Sequence, residues 1–88
     1  MPISIFDIKG EKVAWLCNDD WQLPSQVYEL EEWLKINVTR LPKSEYVADI
    51  GFVSRGEFGG GGAALTIECM DMLVSIGMEV WFTEYPKD

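Results

Sequence analysis

Residues 59–85 constrain the fold more than any other stretch of this chain. Four consecutive glycines open the stretch, and they are followed by the apolar run 63–67, a segment of helical spacing over 68–76, Gly77 and the apolar run 78–82. The last run alternates between two faces, with Met78, Val80 and Phe82 on one and Glu79, Trp81 and Thr83 on the other. Such alternation is typical of a strand half buried under a helix. The stretch therefore predicts a strand–helix–strand unit, with Gly77 ending the helix, that supplies much of the core.

The chain before this unit predicts a hairpin, a helix and a further strand. Two β-prone runs, 3–8 and 13–17, flank a short polar turn, and this arrangement is typical of a hairpin. A helix is predicted from about residue 25 to residue 35, because apolar residues recur there at helical spacing. Residues 45–54 alternate again and predict a strand. We therefore expect a single domain over residues 1–88, of α+β class and ββαββαβ order, with two helices packed on a mostly antiparallel sheet.

Several large side chains are assigned to the core by the same patterns. Both faces of the run 13–17 are apolar, which favours a central position for that strand in the sheet. Trp15 and Trp33 are expected in the core or at its edge, and Met70 and Phe82 are expected within it.

The chain carries a strong negative charge. Its 88 residues include 15 Asp and Glu against 7 Lys and Arg, so the formal net charge is −8. A field of that sign repels phosphate backbones and anionic lipid surfaces, and it attracts basic proteins. We therefore expect a basic protein partner, no direct contact with nucleic acid and no membrane partner.

The sequence predicts a cytoplasmic location. Cys17 and Cys69 belong to no CxxC or Cys/His cluster, and free thiols are typical of a reducing compartment. A basic segment followed by an apolar one does not open the chain, and no apolar run approaches the ~18 residues that cross a membrane.

No residue pattern in the chain predicts catalysis, a metal or a cofactor. Histidine, the commonest general base and zinc ligand, does not occur in the sequence. Carboxylate pairs such as Asp19 with Asp20 resemble an ordinary acidic surface, and the Asp-x-Asp-x-Asp-Gly pattern of calcium loops is missing. The glycine run 59–62 is followed by neither Lys-Ser nor Lys-Thr, so it predicts a flexible loop rather than a phosphate-binding one. We expect a non-enzymatic protein with no catalytic residue, metal or cofactor.

Aromatic residues close to charges mark two candidate partner-binding surfaces. Tryptophan is a preferred anchor of protein interfaces, and charges around an anchor steer a partner of opposite sign. The first surface combines an acidic loop with the helix that follows it, and consists of Asp19, Asp20, Trp21, Glu29 and Glu32. The second combines the glycine-rich loop with the reverse face of the last strand, and consists of Phe58, Gly60 and Trp81.

Residues 64–82 carry a resemblance to a known group of proteins. Their pattern of strand, short helix ending in Leu73-x-x-x-Gly77 and closing strand resembles the C-terminal end of small bacterial immunity proteins of toxin systems. The resemblance covers about a quarter of the chain, and size and acidity agree with it. It is a pattern of residue classes and transfers no functional residue. It implies a stoichiometric inhibitor that covers the active site or substrate groove of a basic toxin, often a nuclease.

The leading hypothesis is therefore an acidic protein-binding module, of the immunity type, that neutralises a cognate basic toxin by occluding its active site. Three alternatives stay open. The chain fits a phage-type nucleic-acid mimic that inhibits a DNA-binding effector, and this function needs two rows of carboxylates at phosphate-like spacing. It also fits a small enzyme or ligand-binding subunit that uses the loop Gly59–Gly62. An assembly subunit that pairs through an exposed strand edge is the third alternative.

Overall fold

The computed structural model describes residues 2–53 and 62–86. Its elements are β1 (Ile3–Asp7), β2 (Lys12–Leu16), α1 (Leu23–Asn37), β3 (Tyr46–Val53), α2 (Ile67–Ile76) and β4 (Met78–Tyr85). The strands form one sheet in the order β2-β1-β3-β4. Two ladders, β1 with β2 and β1 with β3, are antiparallel, and the ladder of β3 with β4 is parallel. The α+β class, with two helices packed on a mostly antiparallel sheet, is confirmed.

Local contacts mark the start of each helix, and a glycine marks the end of α2. At the start of α1 the Asp20 carboxylate accepts the Gln22 N–H at 2.9 Å and the Ser25 hydroxyl at 2.5 Å. The Thr66 hydroxyl oxygen accepts the Cys69 N–H at 2.9 Å and caps the start of α2. Gly77 ends α2 with a φ of 80°, the left-handed conformation that glycine adopts most readily, as the sequence predicts.

The apolar run 63–67 differs from its expected strand conformation. Residues 62–66 belong to no strand, and Ile67 is already the first residue of α2. The Thr66 cap starts a helix at the point where the expected strand would end. Ala63 and Ala64 are exposed and have no apolar surface to cover. The described elements therefore follow the order ββαβαβ, and α2 alone forms the crossover that a parallel β3–β4 pair needs.

Four expectations about the core are wrong, and they concern the place of β2 in the sheet and the burial of three side chains. The strand β2 lies at an edge of the sheet instead of its centre. Trp15 is 54% exposed, because its face of β2 has no layer above it. Met70 lies on the outer side of α2, and Phe82 lies on an edge strand, so both are exposed as well. Trp33 packs against the core as expected.

The core lies between the helices and one face of the sheet. The strand register places Ile3 between Leu16 and Ile50, and Ile5 between Ala14 and Ala48. These central positions pack against the buried face of each helix, and the fully or nearly buried residues of the cluster are Ile3, Ile5, Leu30, Leu34, Tyr46, Ala48, Ile50, Cys69, Leu73, Ile76 and Met78. The helices thus occupy one face of the sheet, and they leave the other face to the surface.

Candidate functional site

The sheet face opposite the helices, here called the open face, carries the candidate site. Side chains alternate along each strand, so the neighbours of the buried residues point to the open face. The register aligns Trp15 with Ser4, Ser4 with Asp49, and Asp49 with Trp81 in one row across the four strands. A second row contains Phe6, Val47 and Glu79, and β4 continues this face with Thr83 and Tyr85.

Aromatic side chains dominate the open face. The rings of Phe6 and Trp81 meet edge to face with centroids 5.8 Å apart, so two strands separated by β3 contribute to one aromatic pair. At the end of β4 the ring of Tyr85 lies across Gly51, where a Cβ atom would come within 2.8 Å of its Cε1. Trp21 packs against the Tyr85 ring at 5.5 Å, again edge to face. The absence of a side chain at Gly51 therefore makes room for the Tyr85 ring.

Polar contacts fix the orientation of these side chains. The Trp81 indole N–H donates to the Glu79 carboxylate at 3.1 Å. The Thr83 hydroxyl donates to the Asp49 carboxylate at 2.9 Å. At the opposite edge of the sheet the Lys12 ammonium lies 4.3 Å from the centre of the Trp15 ring, a cation–π contact. The aromatic surface is therefore held in place before any partner arrives, which lowers the entropy cost of binding.

A shallow cleft of about 270 Å³ lies at the end of the open face where β4 begins. Phe6 and Val47 contribute apolar walls, and three carboxylates, those of Asp7, Glu45 and Glu79, also line it. No Lys or Arg belongs to the lining. One oxygen of Asp7 already accepts the N–H groups of Lys9 and Glu11, each at 2.9 Å. The cleft is suited to a basic side chain that lies against an aromatic ring with carboxylates around it.

The first predicted surface is divided between two places. Trp21 is half-buried and joins the open face through Tyr85. Asp20 serves the start of α1 through its contacts with Gln22 and Ser25. Glu29 and Glu32 lie on α1, and Asp19 is exposed in the loop before that helix. The Glu32 carboxylate pairs with Lys35 at 3.1 Å. The structure therefore turns Trp21 toward the open face, while Asp20 and Glu29 both lie near Cys17.

The second predicted surface is described only at Trp81. Its side chain is exposed on the open face, in the position that the alternation of β4 predicts. Phe58 and Gly60 lie outside the described residues. Phe6, Trp15 and Tyr85 were not predicted as site residues. The sequence shows which residues of a strand share a face with these three, but it does not show which face the helices cover.

Neither cysteine is suited to act as a nucleophile. Both Cys17 and Cys69 are free thiols. Burial, together with the nearby carboxylates of Asp20 and Glu29, raises the pKa of Cys17 to about 11. Burial also raises the pKa of Cys69, and Glu31 adds to the effect. Both thiols therefore stay protonated near neutral pH, whereas the reactive form is the thiolate.

The described part of the chain lacks two further features. Among residues 2–53 and 62–86, no group of three or more Asp, Glu or Cys side chains is arranged to hold a metal ion. Within the same residues, no helix has the length and apolar character needed to span a membrane. Comparison of the chain with models of protein families, with curated proteins and with solved structures finds no match.

Proposed function

We propose that this chain is a non-enzymatic, acidic protein-binding module that binds a basic protein on the open face of its sheet. The observation that carries the proposal is the pairing of Phe6 with Trp81 beside the carboxylate of Glu79. This arrangement joins an exposed aromatic anchor to a negative rim at one end of the sheet.

The affinity for the partner and the rate of association have different physical sources. Aromatic anchors dominate the binding energy of many interfaces, and a single one contributes about 2 kcal/mol or more. The net charge of −8 accelerates the encounter with a positively charged partner. The carboxylates around the cleft then select Lys or Arg side chains over acidic ones.

The finer proposal is an immunity protein that acts in the cytoplasm and neutralises a cognate basic toxin, such as a nuclease. Its support is the resemblance of residues 64–82 to small bacterial immunity proteins, together with the acidity of the chain. A toxin that cleaves nucleic acid needs a basic active-site surface, and an acidic module that covers this surface blocks the substrate.

The open face favours this function over the alternatives. A nucleic-acid mimic needs rows of free carboxylates, whereas the central row of the open face carries a single carboxylate, Asp49, and Thr83 already donates to it. An enzyme or ligand-binding subunit needs an enclosed pocket, whereas the cleft beside Glu79 is open. Residues 59–61 of the glycine loop lie outside the described residues.

The test uses the gene immediately upstream, which in toxin systems encodes the toxin. Its product is expressed in a bacterial host with and without this chain, and growth is measured. The proposal predicts that the upstream product is basic, that it stops growth alone, and that co-expression of the chain restores growth.

The association rate of the two purified proteins, followed by stopped-flow fluorescence, is predicted to fall as salt is raised. A harmless upstream product contradicts the immunity function. A rate that does not change with ionic strength contradicts recognition by charge.

A further inference from the structure

We infer that the chain forms a twofold-symmetric dimer in which the outer edges of two β4 strands pair antiparallel. This inference concerns the outer edge of β4 and does not rest on the proposed function, although Trp81 belongs to both surfaces. Ten large hydrophobic side chains are exposed in the described residues, and six of them lie on α2 and β4: Ile67, Met70, Val74, Trp81, Phe82 and Tyr85.

The outer edge of β4 presents unpaired backbone groups. Within the described residues β4 pairs only with β3 and ends the sheet. The Tyr46 N–H donates to the Gly77 carbonyl at 3.0 Å. This contact determines which residues of β4 direct their backbone groups toward β3. Alternate residues of a parallel strand bond to the same neighbour. The N–H and C=O groups of Glu79, Trp81 and Thr83 therefore face β3, and those of Val80, Phe82 and Glu84 face outward.

The two edges of the sheet differ in how they resist pairing. The edge strand β2 has five residues, carries Lys12 and pairs with β1 through an irregular register near Phe6. Short length, lysine and bulges are the features that protect edge strands. In contrast, β4 has eight residues without a lysine or proline, and its ladder with β3 is regular throughout. The unprotected edge is thus the one that carries the exposed apolar residues.

The sequence of β4 is complementary to itself in one antiparallel register. When Trp81 lies opposite Trp81 of a second copy, Val80 lies opposite Phe82, and the outward-facing backbone groups of both strands meet. Glu79 then lies opposite Thr83, and Glu84 opposite Met78. No carboxylate of β4 faces another in this register, so directly opposed like charges are avoided. This self-complementarity favours a second copy over an unrelated strand.

The helix above β4 supplies a second contact across the same axis. Ile67, Met70 and Val74 recur every three or four residues and form one stripe on the surface of α2. Antiparallel pairing of the β4 strands places the two α2 helices antiparallel, with their stripes available to each other. The six exposed side chains of α2 and β4 together present roughly 600 Å² of accessible surface per copy. A standard interface buries about 800 Å² per partner.

The effect of salt distinguishes the dimer from the binding of a basic partner. Each copy carries a net charge of −8, so the two copies repel each other and screening favours the dimer. Binding of a basic protein weakens with salt for the opposite reason. If the dimer does not form, the proposed function still stands. If no basic partner binds, the inference of a dimer still stands.

The test measures mass by sedimentation equilibrium for the whole chain and for two pairs of matched variants. The wild type is expected to move from 10.0 kDa toward twice that mass as concentration rises, and to do so more readily in high salt. Val74→Glu is compared with Ile36→Glu, because both replace exposed apolar helix residues, 72% and 62% exposed, with the same charge. Phe82→Lys is compared with Trp15→Lys at the opposite edge of the sheet.

We expect Val74→Glu and Phe82→Lys to weaken the dimer at least tenfold, and the two matched variants to leave it unchanged. Amide hydrogen exchange supplies an independent readout, because the amides of Val80, Phe82 and Glu84 should become protected as concentration rises. Circular dichroism checks that each variant is folded. A chain that stays monomeric up to about 1 mM overturns the inference. Equal effects in both members of a pair, or no protection of the three amides, overturn it as well.

Discussion

Replacing Gly77 by alanine should cost far more stability than the same change at Gly10. Both glycines adopt a positive φ, 80° and 81°. An alanine in this conformation lowers the free energy of unfolding by about 1–2 kcal/mol. The lower conformational entropy of the unfolded chain with alanine offsets about 0.4–1 kcal/mol of that loss. A Cβ at Gly10 has no atom within 4 Å, so Gly10→Ala should lose about 1 kcal/mol or less.

The surroundings of Gly77 add a steric cost that Gly10 does not have. A Cβ there would overlap the Ser44 carbonyl oxygen and lie 3.1 Å from its carbon, and both are backbone atoms that cannot rotate away. Relief of the overlap moves the start of β3 and disturbs two backbone bonds, Ser44 N–H to Ile76 and Tyr46 N–H to Gly77, each at 3.0 Å. At about 1 kcal/mol per bond, Gly77→Ala should lose about 2–3 kcal/mol in total.

Urea denaturation followed by tryptophan fluorescence measures the difference. We expect a much lower midpoint for Gly77→Ala than for Gly10→Ala, with similar slopes for both variants. A loss within about 0.5 kcal/mol of the Gly10→Ala value would refute the close packing of Gly77 against Ser44.

Two further predictions concern buried polar groups. The raised pKa of Cys17 means that stability from its neutral thiol is fully present below pH 9.0 and is lost as pH rises through about 11. As pH rises through that range, the Cys17→Ala variant should therefore lose less stability than the wild type, measured by denaturation at a series of alkaline pH values. An equal loss of stability in the two proteins would contradict the raised pKa. Gln26 is fully buried, and its side-chain N–H group donates to the Asp20 and Gly51 carbonyls at 2.6 and 2.7 Å. Gln26→Glu should cost about 3 kcal/mol or more near neutral pH, and the gap in stability to Gln26→Leu should narrow as pH falls toward about 4, because protonation removes the buried charge. A gap that does not vary with pH would show that charge burial is not the cause.

The parts of the fold that local chemistry determines were predictable from the sequence. The alternation of β4 and the end of α2 at Gly77 are confirmed. Both features depend only on residues that are neighbours in the sequence, so the sequence is enough to predict them. The run 63–67 has the composition of a strand but no neighbour to pair with, so Thr66 and the residues after it form a helix start instead. Pairing partners are a property of the whole sheet and are not encoded locally.

The candidate site was predictable only at Trp81 and at Trp21, which joins it through Tyr85. Trp15 has the apolar alternation of a core residue, yet its face of the sheet is uncovered. Phe6 joins the site through a contact with Trp81 that crosses β3, and this contact depends on the strand order. The carboxylates of the first predicted surface are close in sequence, but Asp20 is needed at the start of α1.

The affinity of the Trp81→Ala variant for the product of the upstream gene tests the central claim most directly. Tyr28→Ala is the matched control, because Tyr28 is an exposed aromatic on α1, outside the open face. If the open face binds the partner, isothermal titration calorimetry should show a loss of about 2 kcal/mol, roughly 30-fold, for Trp81→Ala and no change for Tyr28→Ala. Equal affinities of the two variants would contradict the open face as the binding site.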